Sequence, residues 1–327
     1  MGNRSGPGIL GGGRKMKVFR LIAVLILMFF CSSAVYADNA EDSIAAIVDD
    51  LFMKASSGEV QFRDLVEPAK KELIAMGEKA VPQMITKLKT EDARERHTVE
   101  DIFKGIGDPA VPYLIAALET DNLYQLRLAS NCLGLIENKQ ATPPLLGLFL
   151  YHDHTVRSAA VTAIGRIKDT SAVQQVISML SDDAETVRKS AAVALGRIAD
   201  DRSIGALIDA LDDPHFSVRY TAAESLVKIG EVSGEILEKK FDQLPPMARY
   251  YAIDVWAGLK YEDAFDRLKD LLNSPDNRAR GFAITAIAKI KPEKTGELVR
   301  KYSKDEKDSF VLSSFEKARR IAAEKSK

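Results

Sequence analysis

Three stretches of this chain repeat nearly the same residues at a fixed interval of 31 positions. They read HTVRSAAVTAIGRI from His154, ETVRKSAAVALGRI from Glu185 and FSVRYTAAESLVKI from Phe216. A period of this length, with a helical apolar pattern inside each unit, is typical of helical repeat arrays. The repeat constrains the fold more than any other feature, and it disfavours a globular domain built around a catalytic cleft.

The same period extends in both directions along the chain. The last large apolar residue of each unit recurs at steps of 30 or 31, at Met76, Ile106, Ile136, Ile167, Ile198, Ile229, Leu259, Ile290 and Ile321. Within a unit, a short helix precedes a longer one whose apolar stripe follows helical spacing, as in Val156, Ala160, Ala163, Ile164 and Ile167. We therefore predict an all-α fold, a right-handed α-solenoid of about eight two-helix repeats of 30–31 residues.

Departures from the repeat set the expected domain limits. The array is predicted over residues 76–309, with an irregular stretch at 230–250 where Gly234, Pro245 and Pro246 interrupt a short helix and its turn. Residues 38–75 are expected to form N-terminal capping helices, and residues 310–327 a C-terminal capping helix with a basic tail. Terminal units of such arrays must present one polar face to water.

The first 37 residues carry five cations and no acid, followed by an apolar run from Leu21 to Cys31. That run is too short to span a bilayer, and the small residues at Val35 and Ala37 suit a signal peptidase. We predict a signal peptide cleaved after Ala37, with Met16 the better start and an uncleaved anchor as the alternative. The protein is then exported, periplasmic or secreted from a bacterium, and contacts a membrane only through the signal.

Cleavage leaves 41 Lys and Arg residues against 47 acids, a net charge of −6. This balance gives no bulk attraction to nucleic acid. Cys132 becomes the single cysteine, so no intrachain disulfide forms. Its repeat register matches Ala163 and Ala194, which predicts a buried structural thiol; a reactive nucleophile is the alternative.

The pattern D..VR..AA.ALG.I is carried best by Asp183, Val187, Arg188, Ala191, Ala192, Ala194, Leu195, Gly196 and Ile198. It resembles the HEAT-like repeat, in the short form named after phycobilin lyases, from about Met76 to Ile321. The resemblance implies a scaffold fold and is nearly silent on activity. It also supplies an enzyme alternative, a lyase or chromophore-handling protein. Export argues against that alternative, because such chemistry is expected beside cytoplasmic pigments.

One arginine recurs near the start of each longer helix: Arg157, Arg188, Arg219, Arg249 and Arg280. The column is either an anion-binding ladder or a structural one. In the family that the chain resembles, this arginine reaches an acid in a neighbouring turn. Acids placed to serve are Asp153, Asp182, Asp183, Asp213 and Asp276. We favour the structural ladder.

A second column of cations comprises Arg166, Arg197, Lys228 and Lys289, one residue before the end of each apolar stripe. Lys228 follows Glu224 by four residues, a spacing that allows a pair within one helix. The column is expected to face a groove and to suit an extended acidic peptide or protein surface, against the alternative of a solvated face. Tyr220 and Tyr250 share an outward position and are the predicted contact hot spots.

No order of Ser, His and Asp, no zinc spacing and no phosphate-binding glycine loop occurs in the sequence. His152, His154 and His215 fall in related turns, but His215 lies two repeats from the others, too far for one metal. We therefore expect no catalysis, cofactor or metal. The predicted function is an exported scaffold that binds a protein or peptide partner on its concave face, as a monomer or as a subunit of an envelope complex.

Overall fold

The structure is a computed structural model that describes residues 43–325. The predicted signal peptide, the first residues of the expected capping segment and residues 326–327 lie outside the described residues. Residues 43–325 contain no β-strand, so the all-α prediction is confirmed. No helix in this part of the chain combines the length and apolar character needed to cross a membrane.

The chain divides into two compact units at Thr86 and Lys87. The described part of the first unit contains three α-helices: α1 over residues 43–56, α2 (Val66–Met76) and α3 (Val81–Ile85). Val48, Leu73 and Met84 are fully buried and form its core. A side-chain hydrogen bond from Gln83 to Asp49, at 2.8 Å, joins α3 to α1.

The second unit is built around long helices that start 30 to 32 residues apart. They are α4 (Ala93–Ile106), α6 (Leu123–Ile136), α8 (His154–Ile167), α10 (Glu185–Ile198), α12 (Phe216–Ile229), α14 (Pro246–Leu259), α16 (Asn277–Ile290) and α18 (Ser309–Lys325). Each packs against the next long helix in the chain. The shorter helices between them are α5 (Val111–Ala116), α7 (Thr142–Gly147), α9 (Val173–Ser178), α11 (Ile204–Asp209), α13 (Glu231–Lys240), α15 (Phe265–Leu271) and α17 (Pro292–Tyr302).

The long helices begin where the turn supplies acceptors for free N–H groups. The side chains of Asp92, Asn122, Asp153 and Asp276 accept hydrogen bonds from the first-turn backbone. The predicted stripe of α8, from Val156 to Ile167, is buried, which confirms the helical reading of the repeat. Cys132 is also buried, as predicted, and burial raises the pKa of its thiol well above the ordinary value.

Small residues allow neighbouring long helices to approach closely. A Cβ atom added to Gly134 would lie 2.7 Å from the Cα of Ala163, and one added to Gly165 would lie 2.6 Å from the Cα of Ala194. These separations are shorter than van der Waals contact, so only glycine fits. Gly134 and Gly165 are therefore the points of closest approach between their helices and the next long helix.

The irregular unit differs from the sequence expectation. Gly234 does not interrupt the short helix, because α13 runs through it from Glu231 to Lys240. Its missing side chain makes room for the Tyr261 ring, and its carbonyl accepts a hydrogen bond from the Trp256 indole at 3.2 Å. Trp256 is fully buried and stacks on Phe241. The unit is therefore helical, with a larger aromatic core than its neighbours.

Candidate functional site

The outward sides of the long helices form one surface, which we call the long-helix face. On α12 the buried stripe includes Val218, Ala222 and Leu226, and this leaves Tyr220, Glu224 and Lys228 exposed. Residues at the matching positions of α8, α10, α14 and α16 extend the same face across neighbouring repeats. Because the repeats stack, side chains far apart in sequence lie side by side here.

The predicted cationic column lies on this face, but its members differ in environment. Arg197 and Lys228 are exposed, whereas Arg166 and Lys289 are half-buried. The Nη1 atom of Arg166 is buried without a hydrogen-bond partner among residues 43–325. Burial raises the pKa of the Asp254 carboxyl, and the charge of nearby Lys289 opposes that rise. The column is therefore not a uniform row of solvated charges.

The pairing suggested for Lys228 and Glu224 is wrong. Within the described part of the chain Lys228 forms no ion pair, and Glu224 instead lies near the Tyr220 hydroxyl, where its carboxylate raises the pKa of that tyrosine. Tyr220 lies on the same helix one turn earlier, and a carboxylate can accept a hydrogen bond from a hydroxyl group. Lys228 keeps its ammonium in water.

The two predicted hot-spot tyrosines occupy different environments. Tyr220 is 49% exposed and stacks on the exposed ring of Phe216, with ring centroids 5.8 Å apart. Tyr250 is half-buried, stacks on Phe282, and donates its hydroxyl to Asp276 at 2.6 Å. Tyr220 therefore presents contact surface outward, whereas Tyr250 joins α14 to the turn before α16.

A groove of about 270 Å³ opens on the long-helix face between α12 and α14. Tyr220 and Glu224 line it from α12, and Tyr251 and Asp254 line it from α14. Val227 and Val255 contribute apolar surface, and Lys289 of α16 reaches the groove from the next repeat. Aromatic, apolar and charged groups converge here, which is the composition of a binding site.

Two groove residues, Tyr251 and Asp254, were missed by the sequence analysis. Asp254 is exposed at the groove, yet protein surrounds it on several sides; burial raises the pKa of its carboxyl, against the opposing charges of Lys289 and Lys317. The matching positions of the other long helices hold Asp101, Asn131, Thr162, Val193, Glu224, Thr285 and Glu316. A carboxylate therefore recurs at this register position in several repeats, and the repeat pattern alone does not single out Asp254.

The first arginine column makes contacts between repeats. Arg157 donates to both oxygens of Asp182, at 2.8 and 2.7 Å, and Arg280 donates to both oxygens of Glu306, at 2.8 and 3.0 Å. Each guanidinium also donates to carbonyl oxygens of the turn before its own helix. These arginines tie one long helix to the turn that precedes the next.

Two members of the column lack such a carboxylate. Arg219 donates to the carbonyl oxygens of Asp213 and Pro214, and its guanidinium carbon lies 5.6 Å from the centre of the Tyr251 ring. Arg249 donates to the Asp242 carbonyl, and its Nε atom is buried without a partner among the described residues. Arg157 and Arg188 each contact an aspartate that lies 25 positions further along the chain. The residues 25 positions after Arg219 and Arg249 are Leu244 and Ser274, which carry no carboxylate.

Two of the acids proposed as ladder partners have a different role. Asp153 and Asp276 cap the N-termini of α8 and α16 by accepting backbone N–H groups. Within residues 43–325, no group of three or more His, Cys, Asp or Glu side chains is placed to hold a metal ion. The long-helix face therefore presents aromatic and charged side chains that a partner can contact.

The stacked helix pairs, with the long-helix face running along them, define this protein as an all-α solenoid of the helical repeat class. The family of HEAT repeats matches residues 111–196, 152–227, 175–243 and 234–318. This chain belongs to the HEAT repeat family, as the D..VR..AA.ALG.I pattern predicted. None of the curated proteins is similar enough in sequence to match the chain.

Three solved structures are similar to this chain at low sequence identity. Human deoxyhypusine hydroxylase in complex with glycerol is 20% identical, with a TM-score of 0.34 over 79% of this chain and 99% of that one. YibA of Escherichia coli is 18% identical, with a TM-score of 0.48 over 78% and 96%. The CpcE and CpcF complex of phycocyanin lyase from Nostoc sp. PCC7120 is 20% identical, with a TM-score of 0.38 over 73% and 94%. These similarities carry no conclusion about activity.

Proposed function

We propose that this HEAT repeat protein is a non-catalytic scaffold that binds a protein or peptide partner along its long-helix face. The observation that carries the proposal is the groove between α12 and α14, where the exposed ring of Tyr220 and the side chain of Tyr251 lie beside charged groups. Tyrosines that combine contact area with a polar tip are enriched among residues that dominate binding energy.

The exposed cations Arg197 and Lys228 extend the proposed surface beyond the groove. They lie on adjacent long helices, whose axes are about 8–10 Å apart at ordinary packing distances. An elongated partner that crosses several helices meets both, whereas a compact ligand does not. Close packing at Gly134 and Gly165 draws the long helices together, so we expect this face to be the inner side of the curve.

The partner is to be captured by crosslinking to the whole protein in native extract, followed by affinity purification. We expect recovery to be lost in a variant that combines Arg197→Glu, Lys228→Glu and Tyr220→Ala. Tyr250 is left intact, because its hydroxyl bond to Asp276 gives it a structural role. Undiminished recovery of the same partner would refute this face.

A matched control carries the same kinds of change on the short helices. Lys240→Glu and Lys269→Glu reverse two exposed cations on α13 and α15, and Val232→Ala truncates an exposed apolar residue on α13. This control is expected to recover the partner as the unmodified protein does. If both variants lose it equally, binding depends on general charge instead of on the long-helix face.

Export is part of the proposal and rests on residues 1–37 of the sequence. Protein recovered from the cell envelope is expected to begin at Asp38. A mature chain that retains the residues before Ala37 would contradict cleavage, and recovery from the cytoplasm alone would contradict export. Size-exclusion mass measurement on the same extract distinguishes a monomer from a subunit of a permanent complex.

A further inference from the structure

The groove between α12 and α14 carries more negative than positive charge. Its charged members are the carboxylates of Glu224 and Asp254 and the ammonium of Lys289. Its walls are otherwise aromatic and aliphatic, from Tyr220, Tyr251 and Val227. The surrounding face instead displays the cations Arg197 and Lys228. Two carboxylates and one ammonium therefore line the groove directly, within a surface that displays cations.

We propose that this groove receives a lysine or arginine side chain of the bound partner. The inference rests on the proposed function, because it assigns the occupant of one pocket on the same face. The proposal also predicts two kinds of charge on the partner. Its acidic groups contact the cationic column, and one basic group enters the groove.

The size of the groove fits a single long side chain. Its volume of about 270 Å³ lies below the range of about 300–1,000 Å³ that drug-sized ligands occupy. A lysine or arginine places its methylene stem against apolar walls and its charged end beside a carboxylate. Val227 and Val255 provide such walls, and Asp254 provides the carboxylate.

The two tyrosine rings favour the same occupant. Cations are attracted to aromatic faces, and tyrosine supplies both a face and a hydroxyl acceptor. Arg219 lies over the Tyr251 ring at 5.6 Å and donates to its hydroxyl at 3.4 Å, so one face of this ring is already occupied from within the protein and only its remaining surface lines the groove. Tyr220 is 49% exposed and offers the opposite wall to an incoming group.

The electrostatics of Asp254 disfavour other occupants. Its carboxyl is desolvated by the surrounding protein, with Lys289 and Lys317 as the cations that act on it from α16 and α18. An apolar occupant would remove the remaining water without replacing it, and an acidic occupant would add repulsion from Glu224 and Asp254. A cationic occupant would replace the water around the Asp254 carboxylate with a favourable interaction of opposite charge.

The test uses a random peptide library selected on the whole protein, followed by fluorescence polarisation with the strongest binder. We expect an essential lysine or arginine in the selected peptides. Replacing that residue by glutamine, or introducing Glu224→Gln with Asp254→Asn, should weaken binding at least tenfold. In a double-mutant cycle the two changes should not add, because both remove the same interaction.

The control variant Asp263→Asn with Asp266→Asn removes the same charge from the α15 region and should bind as the unmodified protein does. The melting temperatures of the groove variant and of this control verify that both proteins are folded. Replacing an exposed carboxylate by an amide keeps the size and shape of the side chain. The inference would be overturned if peptides lose affinity for the Arg197→Glu, Lys228→Glu and Tyr220→Ala variant, but the peptide substitution and the Glu224→Gln with Asp254→Asn variant weaken binding additively. The scaffold proposal would then still stand. If no selected peptide is sensitive to the Arg197→Glu, Lys228→Glu and Tyr220→Ala variant, both fail.

Discussion

Arg188 holds Asp213 by two parallel hydrogen bonds, from Nε to Oδ2 at 2.7 Å and from Nη2 to Oδ1 at 3.2 Å. The two side chains are only 10% and 8% exposed. The same guanidinium donates to the carbonyl oxygens of Asp182 and Asp183 in the preceding turn. One residue thereby joins the turn before α10 to the turn before α12.

Arg188→Ala is expected to destabilise the array by about 2 kcal/mol. The change leaves Asp213 largely buried without its cation, which costs 3–5 kcal/mol in a fully enclosed pair and less where water still reaches the group. Urea denaturation followed by circular dichroism measures the loss. Arg202→Ala, which removes an exposed partner of Asp200, is the control and should leave the denaturation midpoint nearly unchanged.

Stability should fall in acid because ladder carboxylates have depressed pKa values. Hydrogen bonds from Arg280 lower the pKa of Glu306; burial raises the pKa of Asp213, but the bonds from Arg188 and the His215 N–H group outweigh it. A depressed folded pKa contributes stability that is complete above the unfolded value and is lost as pH falls through the folded value. We expect these carboxylates to cause a decline in stability below about pH 4.

Asp213→Asn tests the assignment of this acid sensitivity. The variant is expected to be less stable than the unmodified protein at pH 7 and to lose less stability between pH 5 and pH 3. Urea midpoints at each pH provide the comparison. Parallel profiles for the two proteins would show that Asp213 does not contribute to the pH dependence.

Asp254→Asn should stabilise the protein at neutral pH. Burial raises the pKa of Asp254, so ionisation disfavours the folded state as pH rises above the unfolded value. The melting temperature of the variant should exceed that of the unmodified protein at pH 7, and the gain should vanish near pH 3, where the carboxyl is protonated in both states. Asp263→Asn controls for the change in net charge. An equal or lower melting temperature at pH 7 contradicts the assignment.

Two glycine substitutions should change stability in opposite directions. Gly165→Ala places a methyl group 2.6 Å from the Ala194 backbone, and we expect a loss of about 1–3 kcal/mol from overpacking. Gly296→Ala adds the same group where no atom lies within 4 Å, inside α17, and should gain about 0.5–1 kcal/mol from helix propensity. Denaturation midpoints that move in the same direction would contradict close packing at Gly165.

Much of the fold could be predicted from the sequence because each repeat shows a local apolar pattern that identifies its helices. The stripe from Val156 to Ile167 requires a helix with one buried side, and the 31-residue interval requires that such helices stack. The close approach of α8 to α10 at Gly165 is a fact of the structure that the apolar stripe alone does not state. The predicted interruption at Gly234 was wrong, because α13 continues through it from Glu231 to Lys240.

The candidate site was only partly predictable. Tyr220 and Lys289 could be placed on an outward side by register, but their convergence with Asp254 depends on how three helices are spaced. Tyr250 looked equivalent to Tyr220 in register, yet its hydroxyl is bound by Asp276 from the next repeat. Register along one helix gives no information about contacts to residues on another.

The sequence by itself determined that the chain is an all-α array of paired helices and that it belongs to the HEAT repeat family. Periodicity is sufficient for this, because the apolar face of each unit must be buried against its neighbours. Only the tertiary structure decided which arginines find carboxylates and where carboxylates, tyrosines and a lysine meet in one groove. Such contacts depend on distances between repeats, and these are set by side-chain packing across the whole stack instead of by any local pattern.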